Sequence, residues 1–194
     1  MHNAQEDDYI FYLDAGCTAN SDPLALDTLE RYLRHLDAHS VLAFQMVHPE
    51  RNWTKQSVMD HYGITKNSSA SGQVMATVLG VKVDKHGKGL IDEWCAGVSQ
   101  DDFAHVRNPE ANQIHEDFGA HRHDQSVWSC LLKAQGATFT KDETYFAPRW
   151  GRLGKQFPFW ATRKCSGIPA VNGGGMLGQL LIGLEKRLSR NLLP

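Results

Sequence analysis

His121-Arg122-His123-Asp124-Gln125-Ser126 sets two imidazoles, a guanidinium, a carboxylate and an amide side by side. The residues after it, Val127-Trp128-Ser129-Cys130-Leu131-Leu132-Lys133, read as a helix with Asp124 near its cap and an end at about Gln135. A helix start carries N–H donors without intrahelical partners and the positive end of the peptide dipoles. It can therefore orient a carboxylate or receive an anion. Polar side chains gathered there point to a metal, phosphate or sugar site, while the same residues also make an ordinary polar cap.

Upstream, Tyr9-Ile10-Phe11-Tyr12-Leu13 reads as a short buried strand that stops at Asp14-Ala15-Gly16. A carboxylate at the end of a buried strand is a common site position in open α/β sheets; bonding to its own turn is the plainer role. Ser21-Asp22-Pro23 signals a helix start, and Leu29, Tyr32, Leu33 and Leu36 give that helix one apolar face. Val41 to Val47 reads as the next strand. Thr54 is placed as the cap of a short helix ending at Gly63, with Trp53 packed against it. Ser71 to Gly80 reads as helical, Gly87-Lys88-Gly89 as a break, and Leu90 to Val98 as a second helix carrying Glu93. Residues 99–120 are polar and weakly periodic, a pattern common in binding loops. Phe157 to Thr162 reads as a late strand.

A chain of 194 residues, 41% hydrophobic and 22% charged, is long enough for one globular core. A net charge of −2 gives no general reason to expect nucleic acid as a partner. Cys17, Cys95, Cys130 and Cys165 are widely spaced with no CxxC pair. That spacing argues for reduced, mostly buried thiols in a cytoplasmic protein rather than a zinc cage or disulfide scaffold. The start of the chain is polar and acidic, unlike a signal peptide, and no apolar stretch is long enough to span a bilayer. The expected organisation is an α/β domain over 1–172, then a glycine hinge and a basic amphipathic helix over 173–194. Leu177, Leu180, Leu181, Leu184 and Leu188 of that helix suit packing on the body, homo-oligomer formation or peripheral contact with a membrane surface.

Two stretches carry a family resemblance. Tyr12-Leu13-Asp14-Ala15-Gly16-Cys17 resembles the strand that ends in the Asp-x-Asp motif of GT-A-type glycosyltransferases. The HRHDQS run with Val127-Trp128-Ser129 resembles a segment in a group of bacterial and viral proteins described as glycosyltransferases of this kind. Glu50-Arg51-Asn52-Trp53-Thr54-Lys55, Ser71-Gly72-Gln73 and Glu93-Trp94 fall between them in the order that group shows. The resemblance runs from about Tyr9 to Arg163. It implies a partial GT-A-like sheet flanked by helices, without most of the usual N-terminal nucleotide-binding half.

The resemblance also implies sugar transfer from a nucleotide-sugar donor to a glycan or other hydroxyl acceptor, in surface polysaccharide or glycan synthesis. A divalent cation, Mn²⁺ or Mg²⁺, would neutralise the departing diphosphate. On this reading Asp14 and His123 hold the metal, and His121 and Arg122 contact the pyrophosphate. Asp124, Gln125 and Glu93 serve the acceptor and the sugar hydroxyls. Trp53 or Trp94 would stack on a sugar face, though either also suits a core. The second Asp of the Asp-x-Asp pattern is replaced by Gly16. Two other classes compete. One is a non-catalytic binding or assembly module built on the same fold. The other is a metal-dependent hydrolase using His121, His123 and Asp124.

Overall fold

The computed structural model describes residues 4–110, 114, 117–145, 147 and 149–162. In chain order the regular elements are β1 (Tyr9–Leu13), β2 (Thr18–Ala19), α1 (Leu26–His39), β3 (Val41–Pro49), α2 (Glu50–Trp53), α3 (Gln56–His61), α4 (Lys66–Ala70), β4 (Gly72–Lys82), α5 (Lys85–Phe103), α6 (Asp124–Ala134), β5 (Thr140–Lys141), α7 (Trp150–Leu153) and β6 (Phe159–Trp160). The glycine hinge at 173–175, the helix expected over 176–193 and Cys165 lie outside the described residues. No helix among those described is long and apolar enough to cross a membrane.

The contacts divide the chain into two compact units, one containing the chain up to Tyr12 with Glu30–Asp142, the other Leu13–Leu29 with the chain from Glu143 onward. The second is small. Its strands β2 and β6 pair antiparallel, Thr18 opposite Trp160, and Trp150, Phe157 and Ala147 form its buried cluster. Asn20 ties its ends by donating to the carbonyls of Lys155 and Phe157. Asp14 belongs to this unit, where its backbone carbonyl accepts the Cys17 N–H at 2.8 Å and closes a tight turn.

The first unit is mixed α/β: a four-stranded sheet in the order β1-β4-β3-β5, with β3 antiparallel to β4 and parallel to β5. Helices cover both faces. Along β3 the side chains alternate. Val41 and Ala43 join Val74, Ala76, Leu79 and Val81 of β4 against Leu90 of α5 and Trp128, Leu131 and Leu132 of α6. Phe44 turns the other way and meets Tyr32 of α1 edge-on at 5.5 Å. Tyr32 and Leu36, from the expected apolar stripe, are buried, and Asp22 caps the 3-10 turn ahead of α1 by accepting the Leu24 N–H.

Four sequence expectations are corrected. Ser71 to Gly80 is the central strand β4, not a helix. It is buried on both faces, which erases the alternation that marks a half-exposed strand, and β3 offers it a ladder. Tyr9–Leu13 is a strand as expected, but it is a sheet edge with Tyr9 and Tyr12 exposed. Gly87-Lys88-Gly89 does not break a helix but lies in the first turns of α5. Asp84 caps that helix by accepting the Gly87 N–H at 2.7 Å, and a side chain at Gly87 would collide with the Lys82 carbonyl. Of the described cysteines only Cys130 is buried; Cys95 is exposed and Cys17 is half-buried.

The β3–β4 ladder is irregular. Between the pairs Ala43–Leu79 and Gln45–Val74, β4 uses five residues where β3 uses two; between Gln45–Val74 and Pro49–Gly72, β3 uses four where β4 uses two. Bulged backbone groups in a buried sheet need other partners. Helix α6 supplies them: Ser129 Oγ accepts the Val74 N–H at 2.8 Å and Gln125 Oε1 accepts the Ala76 N–H at 3.2 Å. Beneath this seam Glu50 is fully buried and ion-paired with Lys133 at 2.8 Å, both side chains almost without access to solvent. Thr54 and Ser129 donate hydroxyl hydrogen bonds to the same carboxylate, and Gln73 adds an amide donor at 3.2 Å. Thr54 is thus a partner of Glu50, and the N-cap of α3 is Lys55.

A buried pair of this kind resists the loss of one partner far more than the loss of both, because a lone buried charge has nothing to replace water. Glu50→Gln and Lys133→Met should each lower the unfolding free energy by about 3–5 kcal/mol. The double variant should recover most of that loss in urea titrations. Single losses below about 1 kcal/mol would show that the pair is not anchored as described.

Candidate functional site

Four stretches singled out in the sequence, ERNWTK, SGQ, EW and HRHDQS, meet around the start of α6, while Asp14 of the stretch over 12–17 belongs to the smaller unit. Chain 119–122 runs beside α2: the Gly119 N–H bonds the Asn52 carbonyl at 2.8 Å, and the Arg122 N–H bonds the Trp53 carbonyl at 3.1 Å. Ser126 Oγ donates to that same Trp53 carbonyl at 2.9 Å. The Gln125 amide nitrogen donates to Gln73 Oε1 at 2.7 Å, and the Trp94 indole donates to the Asp124 carbonyl at 3.0 Å. Segments far apart in sequence are stitched to one helix end by short polar bonds.

Within this seam the two histidines take a definite job. His121 is buried; its Nε2 donates to the His105 carbonyl at 2.7 Å, and its Nδ1 accepts the Lys55 N–H at 3.3 Å. A carbonyl accepts only, so the ring is the neutral Nε2–H tautomer and both nitrogens are committed to backbone. Burial, joined by the nearby charge of Lys55, holds its pKa down at about 4 against the carbonyl bond, which favours the charged form. His123 is exposed, and its Nδ1 donates to the Val106 carbonyl at 2.7 Å. Lys55 Nζ donates to the carbonyls of Ala104 and Arg107, the latter at 2.9 Å. Four successive carbonyls, Ala104 to Arg107, are thus held by three side chains.

Gln125, expected to serve a sugar or acceptor, engages β4 through its amide oxygen and Gln73 through its nitrogen. Glu93 lies apart on the exposed face of α5. There it accepts from Gln135 at 3.0 Å and lines a shallow pocket of about 370 Å³ with Lys85, His86 and Leu90. Asp124 is exposed at the first position of α6. Asp14 is in the smaller unit, whereas His121, Arg122, His123, Asp124 and Gln125 are in the larger one. Among the described residues no group of three or more His, Cys, Asp and Glu side chains could hold a metal ion. Both nitrogens of His121 are occupied by backbone groups, and of the expected metal ligands His123 is in the larger unit and Asp14 in the smaller.

Arg122, His123 and Asp124 are the exposed members of the motif. The Arg122 guanidinium lies over the Trp53 ring, 4.4 Å from the centroid. Stacking on an aromatic face restrains the plane of a guanidinium. His48, in the β3 bulge, meets the same indole edge-on at 5.8 Å. Burial and the Arg122 charge hold the His48 pKa below its ordinary value, with Asp142 pulling the other way. His48 therefore sits neutral at pH 7, offering one donor and one acceptor. Asp142, just after β5, is buried. The sequence reading missed His48 and Asp142. A lone His inside a strand pattern and an Asp between Lys and Glu carry no local signal of their meeting.

No protein-family model, curated protein or solved structure matches the chain.

His121 makes stability depend on pH. The unfolded ring takes a proton near 6.5, whereas the folded ring refuses it until about 4, so stability is lost as pH falls through that window. The loss attributable to this ring is about 3 kcal/mol at most. In His121→Gln the side-chain amide can still donate to the His105 carbonyl and has no proton to gain. Urea unfolding at pH 7 and at pH 4.5 should therefore show a smaller acid loss in the variant than in the native protein. Equal losses in both would show that His121 is not the group responsible.

Proposed function

We propose that this chain is a glycosyltransferase-like protein that receives the diphosphate of a nucleotide-sugar at Arg122. The carrying observation is the convergence of the ERNWTK, SGQ, EW and HRHDQS stretches around one helix start, with a single guanidinium presented outward on an indole face. The chemistry of the donor suits that arrangement. A departing nucleoside diphosphate gathers negative charge on its phosphate oxygens, and an arginine edge meets two of them at once. Trp53 fixes the plane of that edge. His48, neutral beside it, can hydrogen-bond a sugar hydroxyl without adding charge. Asp124, at the first position of α6, is the nearest exposed carboxylate in the sequence for an acceptor hydroxyl. The partial GT-A-like fold belongs to this proposal, and the mixed sheet flanked by helices is compatible with it. The reading routes no step through a metal ion.

A second reading, a non-catalytic binding module, draws on a specific observation of its own. Most of the motif is engaged within the protein: His121, His123, Gln125 and Ser126 hold the protein's own backbone and side chains. A motif used as scaffolding can present a binding face without turnover.

The two readings share one test and then part. Calorimetry with inorganic pyrophosphate and a panel of nucleotide-diphosphate sugars should detect binding by the native protein. Arg122→Gln should weaken that binding at least tenfold, and Arg122→Lys should weaken it too because the two-pronged contact is gone. Release of free nucleoside diphosphate from a bound donor would favour transfer, and binding without release would favour the module. No binding by the native protein, or equal binding by Arg122→Gln, would overturn the assignment of Arg122.

A further inference from the structure

Helix α5 does not end in the ordinary way. After Gln100, three consecutive non-glycine residues take left-handed backbone angles: Asp101 (φ 48°), Asp102 (φ 56°) and Phe103 (φ 64°). Left-handed residues are met singly in proteins and rarely in runs, because each L side chain crowds its own carbonyl. All three side chains are exposed, Phe103 by half, so packing of those side chains does not hold the run in place. The Asp102–Arg107 ion pair and the Ala104 N–H, which bonds the Gln100 and Asp101 carbonyls, hold it from within, and the carbonyls just beyond the run hold it from outside. Lys55 grips those of Ala104 and Arg107, His121 that of His105, and His123 that of Val106. His123 is itself strained, with φ 51° and ψ −121°, a combination that favours glycine. His105 adds one bond on the other side, its Nδ1 donating to the Gly97 carbonyl at 3.0 Å.

Strain of this kind persists only while the surrounding bonds over-determine it. With the bonds made, the segment is held closed against its backbone preference; with them broken, it relaxes. We infer that residues 100–107 form a strained flap, latched by Lys55, His121 and His123, which opens as a unit while the β3–β4 sheet stays folded. The latch flanks Arg122, so opening removes the bonds that seat the residues on either side of that guanidinium. The flap is argued from backbone geometry and latch bonds alone, independently of what Arg122 binds.

Arg107 is exposed and lies inside the flap, which gives a local readout. A protease needs several residues in extended form, so trypsin cleavage after Arg107 reports the open state when reclosing is fast. Cleavage of the full chain, followed by mass spectrometry under native conditions, should be at least tenfold faster at Arg107 in Lys55→Met, which removes two latch bonds. Phe103→Gly, which relieves strain in the closed form, should slow the same cleavage about threefold or more and needs no lysine removed. The urea midpoint of each variant separates flap opening from global unfolding. Cleavage at Arg107 that ignores both variants, or that changes only in step with global stability, would overturn the flap. Adding inorganic pyrophosphate forms a separate arm. Protection of Arg107 links the flap to the anion reading. A flap that responds to both variants but not to pyrophosphate confirms the latch and shows that it closes independently of anion binding.

Discussion

Strands β3 and β4 cannot pair along their whole length, and most buried polar groups of the larger unit answer to that. Where the register slips, backbone N–H groups in the middle of a two-sided sheet lose their ladder partners. Water cannot reach them, so side chains must. Gln125 and Ser129, one helical turn apart on α6, present an amide oxygen and a hydroxyl at the spacing that Ala76 and Val74 require. The same helix carries Lys133 one turn further on, and that cation fixes Glu50 at the start of α2. A mismatch between two strands thus selects the polar face of a helix that is otherwise apolar and buried.

Much of the charged knot follows from this. Once α6 is pinned to β4 and α2, its preceding turn runs against Trp53 and Lys55. His121 and His123 then reach the carbonyls that follow α5. At His121 the imidazole suits the work: a neutral ring donates at one nitrogen and accepts at the other, joining two backbone groups without carrying charge into the interior. Arg122, between the two histidines, is exposed and lies over an indole. Alternation along three residues therefore sorts latch from surface: His inward, Arg outward, His back to the loop.

Local signals in the sequence were sound where the cause was local. The starts of α1 and α6 followed from Asp22-Pro23 and from the polar run before Val127, and β3 from its branched apolar residues. β4 was misread because burial on both faces leaves a continuous apolar run, and periodicity cannot distinguish such a strand from a buried helix. Glu50 and Lys133 carried no signal of burial. Glutamate after proline and lysine near a helix end are ordinary surface residues until a fold brings them together. The HRHDQS run was legible as a place where the chain concentrates polar chemistry. Its division into braces, latch and outward cation depended on partners such as Gln73, Ala76 and the carbonyls of His105 and Val106, which only the three-dimensional structure supplies.

The claim beneath all of this is that side chains of α6 stand in for missing ladder partners of β4. Amide hydrogen exchange read residue by residue in Gln125→Leu and Ser129→Ala tests it most directly. The account predicts that Ala76 loses protection in the first variant and Val74 in the second, while the regularly paired end of the strand, Leu79 to Val81, keeps its own. Protection lost evenly along β4, or retained at both bulged positions, would contradict it.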